Sequence, residues 1–226
     1  MEQGGLLSQE KIAQNIGVSQ LTVSHWQRQD RLPRSISRAY FKYELPQEVD
    51  LTPKLARLMG YYVSEGYARK EIDFCFNKKE EKFIQDVVNL MHEIFGLKSH
   101  RIRVTGSAAN ITYQSRTLAD FFGFYCGKGA RNKHVPAFLF EAPREYFIEF
   151  LRGVFDGDGY QDKRGKGEIT SVSKKLIMEL NWLCRLHGIK TYMRSFTAKE
   201  GRVINGGKPL KAVVAYRLGW GKMTNP

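Results

Sequence analysis

Apolar and small residues from Pro53 to Glu65 recur at helical spacing, with Ala56, Gly60 and Ser64 four positions apart. Residues four apart lie on one helix face, and proline suits a first turn, so the pattern predicts a helix over 53–65. At 72–76 the spacing falls to two, in IDFCF, which predicts a strand. A helix near 79–95 closed by Gly96, alternating strands at 101–104 and 110–113, and a helix near 115–124 follow. The order then repeats. A second helix ends in the segment 151–159, followed by a strand near 168–172 and a helix near 174–187 closed by Gly188. Strands near 190–196 and 211–218 complete the series. Helix, strands, helix, strands, twice over, predicts an α/β (α+β) protein of two similar halves related by a pseudo-twofold axis.

The two leading helices also match residue by residue. LMGYYVSEG at 58–66 and LRGVFDGDG at 151–159 both open on leucine, place glycine third and end in an acid followed by glycine. In the second copy Gly153 and Gly157 repeat the small-residue spacing. Such stripes let two helix backbones approach closely. The bland alternative is two separate buried helices whose glycines coincide. A pair of acids, Glu65 and Asp158, at equivalent helix ends is what a symmetric metal site for phosphodiester cleavage needs.

The N-terminal region follows a different pattern. In SQEKIAQNIGVSQLTVSHWQR, Ser8 and Ser19 can cap two short helices separated by Gly17. Ile12, Ile16, Leu21, Val23 and Trp26 can form a small core. This is the pattern of a helix-turn-helix, with Gln20, Thr22, Ser24, His25 and Arg28 as the DNA-contact candidates. A helical hairpin used only for packing would read similarly. Arg31, Arg34, Arg38 and Lys42 then fall on one helix face, either solvated or set on phosphates, and 45–53 reads as a linker between Pro46 and Pro53.

Charge adds a partner to this outline. The formal net charge is +13 and the pI about 9.7, which points to a polyanion, most often nucleic acid. Residues 1–50 hold six basic and six acidic side chains, so residues 51–226 carry the whole excess. Arg101 and Arg103 share one strand face, as do Lys190, Tyr192 and Arg194, and Lys211 and Arg217. With Arg69, Arg116, Lys163 and Arg164 they form the basic set expected to meet double-stranded DNA, although solvated strands also alternate. The remaining composition is that of an ordinary globular chain, 42% apolar and 26% charged. No apolar run reaches a membrane span, and no signal-peptide pattern opens the chain, so no membrane partner and a cytoplasmic, nucleoid-associated location are expected. Cys75, Cys126 and Cys184 read as buried reduced thiols. The five histidines show no ligand spacing.

Both duplicated segments resemble the signature of the LAGLIDADG homing endonucleases. Leu151, Gly153, Asp156, Asp158 and Gly159 match it in the second copy, and Leu58, Gly60 and Gly66 in the first. There Glu65 replaces the final Asp, and Val63 stands where the signature has an inner Asp. KHVP at 133–136 resembles a lysine-containing block of intein-encoded members. The resemblance covers roughly 50–220. It implies two central motif helices, two curved antiparallel sheets forming a saddle over DNA, and double-strand cleavage at a long, rare site. It also implies Glu65 and Asp158 as catalytic, metal-holding residues at Mg²⁺ (or Mn²⁺), with Gly66 and Gly159 beside them. Lys133 is the catalytic lysine, or else a phosphate-contacting or surface lysine, with Lys211 a weaker second choice. The expected organisation is 1–45 as the helix-turn-helix unit, 50–144 as the first repeat and 145–226 as the second, acting as a monomer. Complete splicing halves are not evident, so a free-standing enzyme or the endonuclease portion of an intein is expected. A non-cutting DNA-binding regulator and an RNA maturase are the competing readings.

Overall fold

A computed structural model describes residues 8–28, 43–98, 100–198 and 212–221. Two short helices come first, α1 (Gln9–Ile16) and α2 (Gln20–Gln27). The side chains of Ser8 and Ser19 accept from the backbone N–H of Lys11 and Thr22, and Gly17 makes the turn at φ 68°. Their small core is narrower than the sequence suggests. Ala13 and Val23 are buried, but Ile16 and Leu21 are exposed. Arg31, Arg34, Arg38 and Lys42 lie outside the described residues. The segment read as a linker is irregular, yet Tyr43, Leu45 and Val49 pack against the main core.

The first half contains α3 (Pro53–Glu65), β1 (Gly66–Ala68), β2 (Ile72–Asn77), α4 (Glu81–Phe95), β3 (Arg101–Thr105), β4 (Ala108–Tyr113) and α5 (Arg116–Cys126). The second contains α6 (Arg144–Asp158), β5 (Gly159–Gln161), β6 (Gly167–Ser171), α7 (Lys174–Leu186), β7 (Thr191–Ala198) and β8 (Val213–Trp220). Each half builds a four-stranded antiparallel sheet in the same order, β1-β2-β4-β3 and β5-β6-β8-β7. The short strands β1 and β5 escape sequence reading because three residues are too few to show alternation.

Register explains how each sheet is used. Ile72, Phe74 and Phe76 of β2, and Ile111 and Tyr113 of β4, face the core with Ile169 and Leu218 of the second sheet. The opposite face therefore carries Asp73, Asn110 and Thr112, with Arg101 opposite Thr112 and Arg103 opposite Asn110. In the second sheet it carries Glu168, Thr170 and Arg217, with Arg194 opposite Arg217. The basic strand faces expected for Arg101, Arg103, Arg194 and Arg217 are thus present. Lys190 sits just before β7 rather than within it, and Lys211 lies outside the described residues. Cys126 and Cys184 are buried free thiols, whereas Cys75 is exposed because it falls on the outward face of β2. Among the described residues no helix is long and apolar enough to cross a membrane.

Candidate functional site

Helices α3 and α6 meet backbone to backbone. A Cβ placed on Gly60 would lie 2.2 Å from the Phe150 carbonyl oxygen, and one on Gly153 would lie 2.2 Å from that of Arg57. Further along, a Cβ on Gly157 would strike Ser64 and the Glu65 side chain. The small-residue stripes therefore act as the sequence suggested, and they bring the two acid ends side by side.

Each acid is the last helical residue, and the glycine after it turns the chain into a strand: Gly66 at φ −88°, ψ 145° and Gly159 at φ −82°, ψ 148°. These angles suit any residue. The constraint is space, because a Cβ on Gly66 would meet the Tyr62 carbonyl oxygen at 2.5 Å and one on Gly159 the Phe155 carbonyl oxygen at 2.2 Å. Carboxylates at helix C-termini sit at the unfavourable end of the macrodipole. They also stand together: burial first, then the Asp158 and Glu80 charges, push Glu65 up to about 8. Burial pushes Asp158 up to about 7, opposed by Lys133. Among the described residues neither carboxylate has a hydrogen-bond or ion-pair partner.

Lys133 lies 3% exposed beneath the acids. Its Nζ donates to the carbonyls of Tyr62 at 2.6 Å and Gly66 at 2.9 Å, and rests 3.2 Å from the Tyr62 ring centroid. Ser173 Oγ donates to the Lys133 carbonyl at 2.6 Å, which fixes the backbone there. Burial lowers the ammonium to about 7, while the nearby Asp158 charge raises it. The alternative of a surface lysine is thereby set aside.

The charges give a sign for pH. Both acids have folded pKa values above their unfolded ones, so the folded state holds more protons between about pH 4 and 8, and stability falls as pH rises through that window. Lys133 works the other way, but only above about pH 7, where the unfolded chain holds the extra proton. Thermal melting in EDTA is expected to show a lower Tm at pH 7.5 than at pH 5.5, and Mg²⁺ to recover more of it at the higher pH.

The basic candidates divide by engagement. Arg69, Lys163 and Arg164 are exposed in turns that follow β1 and β5, and Arg101, Arg103 and Arg194 are exposed on edge strands β3 and β7. Arg217 pairs with Glu168 at 3.2 Å and lies over Phe196, and Arg116 pairs with Asp120 at 3.0 Å. In α2, Gln20 is exposed and Thr22, Ser24 and His25 are half-buried, and the exposed Arg28 just after the helix donates to Ser24 Oγ at 2.7 Å. Sequence reading missed Arg57. It donates to Asp86 at 2.6 Å and to Asp156 at 3.1 Å, and its partners lie on α4 and α6. A lone arginine in a helix reads as solvated, and no spacing in the sequence set Arg57 apart.

Residues 145–215 match the model of the LAGLIDADG-like domain. Among solved structures, the homing endonuclease I-DmoI in complex with DNA and Ca aligns at TM-score 0.53 and 15% identity, over 76% of this chain and 84% of that one. The N-terminal LAGLIDADG domain of DUF199/WhiA aligns at TM-score 0.50 and 16% identity, over 84% and 87%. The fold is the two-repeat LAGLIDADG fold. Curated relatives extend the likeness. An uncharacterized protein of Methanocaldococcus jannaschii is 37% identical over 57% of this chain and 17% of its own. The DNA polymerase II large subunit of Thermococcus kodakarensis is 32% identical over 63% and 8%. This chain thus spans less than a fifth of the length of these relatives. A LAGLIDADG fold shared by an endonuclease and by the WhiA domain leaves cleavage to be argued from the site itself.

Proposed function

We propose that this chain is a site-specific endodeoxyribonuclease that makes double-strand breaks in a long, asymmetric DNA target with divalent-metal help. The observation that carries the reading is the pair Glu65 and Asp158. Set side by side at helix C-termini by a glycine interface, they are carboxylates with no hydrogen-bond or ion-pair partner among the described residues, Glu65 half-buried and Asp158 exposed, and desolvation raises the pKa of both. Such placement costs stability twice, through desolvation and through the helix dipoles, so it makes sense as a functional arrangement.

The residues fit a hard divalent cation. Their carboxylate oxygens are the donors Mg²⁺ prefers, and phosphate oxygens and water would complete its shell. Among the described residues no group of three or more His, Cys, Asp or Glu gathers, so substrate and water would have to supply the other ligands. Glu65 and Asp158 would hold the ion, with the main chain at Gly66 and Gly159 alongside; the Gly66 carbonyl already accepts from Lys133. When bound, the ion supplies Lewis-acid stabilisation of phosphate oxygens and a more acidic water. Structures of I-DmoI with DNA and Mn, and with DNA and Mg, support a divalent requirement. Lys133 is anchored on two carbonyls beside both acids, and as an ammonium it stabilises negative charge developing on phosphate. The arginines on the two outward sheet faces, with Arg69, Lys163, Arg164 and Lys190 at their edges, hold the DNA backbone.

The protein would act as a monomer, since both acids come from one chain. Residues 1–45 would form a separate reader with α2 in the major groove, and 50–144 and 145–226 the two repeats. Location at the nucleoid, and origin as an intein portion or a free-standing relative, belong to the same reading. Incubation with Mg²⁺ and a randomised duplex library, followed by sequencing of cut ends, tests activity and target together. Absence of Mg²⁺-dependent ends would favour the DNA-binding regulator, which the shared WhiA fold keeps in view. Deleting residues 1–45 is expected to shorten the DNase footprint and weaken binding while leaving the cut position unchanged. An unchanged footprint would remove the reader assignment.

A further inference from the structure

The two motif helices share one interface, yet its two flanks differ in kind. The pseudo-dyad relates Gly60 to Gly153 and Glu65 to Asp158, a constant offset of 93 positions. On one flank Arg57 reaches from α3 to both neighbouring helices. Its Nε lies 2.6 Å from Asp86 of α4, its Nη2 3.1 Å from Asp156, and its Nη1 3.3 Å from Glu149 of α6. The Tyr61 hydroxyl sits in the same cluster, 2.8 Å from Asp86 and 3.0 Å from Asp156. On the other flank the related positions of α3 and α6 are Phe150, Val154, Val63 and Ala56, all apolar and at most 3% exposed; the counterpart of Asp86 is Glu179 of α7, which accepts from the Val135 N–H at 2.9 Å and pairs with Lys175 of its own helix. Among the described residues, polar and ionic side-chain contacts between α3 and α6 therefore occur on one flank of a near-symmetric contact.

Apolar packing is non-directional and permits sliding, whereas charge-assisted hydrogen bonds from a guanidinium fork fix geometry. Asp156 stands two residues before Asp158, so whatever locates Asp156 against α3 also locates the second acid against Glu65. Burial opposes the Arg57 charge, but hydrogen bonding and charge from Asp86 and Tyr61 outweigh it and raise its pKa. The Arg57 guanidinium thus stays charged across the working range.

We propose that Arg57 is a positioning residue. Through Asp156 it sets the register of α6 against α3, and so the separation of Glu65 and Asp158. The departure at Val63 from the inner motif acid then has a reason: one clamp fixes the register, and a second inner acid would face only Phe150 and Ala56-lined packing without a cation. The consequence for cleavage rests on the nuclease reading; the register itself does not.

The test uses the full chain with nitroxide labels on Tyr67→Cys and Tyr160→Cys in a Cys75→Ser background, because residues 67 and 160 are exposed and lie two positions after the two acids. Arg57→Met is expected to broaden or shift the label–label distance. Unlabelled Arg57→Met is expected to slow cleavage at saturating DNA by about 100-fold, the cost of a displacement near 1 Å, with DNA affinity unchanged. Arg57→Lys should recover part of both effects. The double variant Arg57→Met/Asp156→Leu imitates the apolar flank and should fold, since replacing an ion pair by apolar residues is often neutral or stabilising. It is expected to keep the broadened distance and slow rate. An unchanged distance in Arg57→Met, or recovery of both distance and rate in the double variant, would overturn the proposal and leave a merely cohesive role. If the unmutated protein cuts nothing, the nuclease reading fails, while the distance measurement still decides the clamp.

Discussion

Asp158→Asn and Glu65→Gln are each expected to reduce Mg²⁺-dependent cleavage by at least about 100-fold, the upper end of what even an outer-shell metal partner costs. Both changes keep shape and remove charge. DNA affinity should hold or improve, because a carboxylate beside phosphate repels it when no cation intervenes. The same variants should melt at a higher temperature near pH 8 in EDTA. Each removes a charge that desolvation disfavours at a helix C-terminus, and the Asp158 charge adds to the cost of Glu65. A gain in stability with a loss of activity is the mark of residues kept for function. Cleavage assays, fluorescence anisotropy on a fixed duplex and thermal melts would separate the three quantities. Full cutting by either variant would remove the metal role.

The largest effect on stability is expected at the helix crossing. Gly60→Ala places a methyl 2.2 Å from the Phe150 carbonyl oxygen and 3.0 Å from the Gly153 Cα. Both neighbours are backbone inside a helix, so neither can swing aside, and α3 and α6 must separate. Overpacking of this kind costs about 3 kcal/mol, which for a chain of this size lowers Tm by roughly 6–12 °C. Gly153→Ala should act alike, since its contact with Arg57 is the mirror image. In contrast, Gly96→Ala meets open space and suffers only from its φ of 69°. Chemical unfolding of the three variants would rank them. Equal loss at Gly60 and Gly96 would mean that backbone strain, not helix contact, governs the crossing.

The same separation would also pull Glu65 away from Asp158. Gly60→Ala should therefore lose cleavage at temperatures well below its melting point, which links the packing argument to the chemistry.

Much of the site was legible as residues before it was legible as geometry. The acid–glycine doublets, the glycine spacing and the lysine block could be named because each reflects a local demand: a tight helix-to-strand turn, a flat helix face, a cation near acids. Arg57 was not legible, because a lone arginine in a helix reads as solvated, and its three acidic partners are 29, 92 and 99 positions away. Lys133 was recognised by its block, but only the fold shows it at 3% exposure on two carbonyls. Ile16 and Leu21 went the opposite way: apolar residues on short helices looked like core and are exposed. Periodicity specifies which residues share a face, not whether anything covers that face.

By itself the sequence determined the repeated order of helices and strands, the stripe along which α3 and α6 meet, and the identity of the two acids. These follow from spacing and side-chain size, which act over a few residues. Only the tertiary structure decided that burial raises both acids while no described residue pairs with them, that Lys133 is buried beside them, and that α3 meets α6 through ionic side chains on one flank and apolar ones on the other. Those properties depend on what surrounds a residue in three dimensions. Solvent exclusion and charge act through space, between positions that the chain itself keeps far apart.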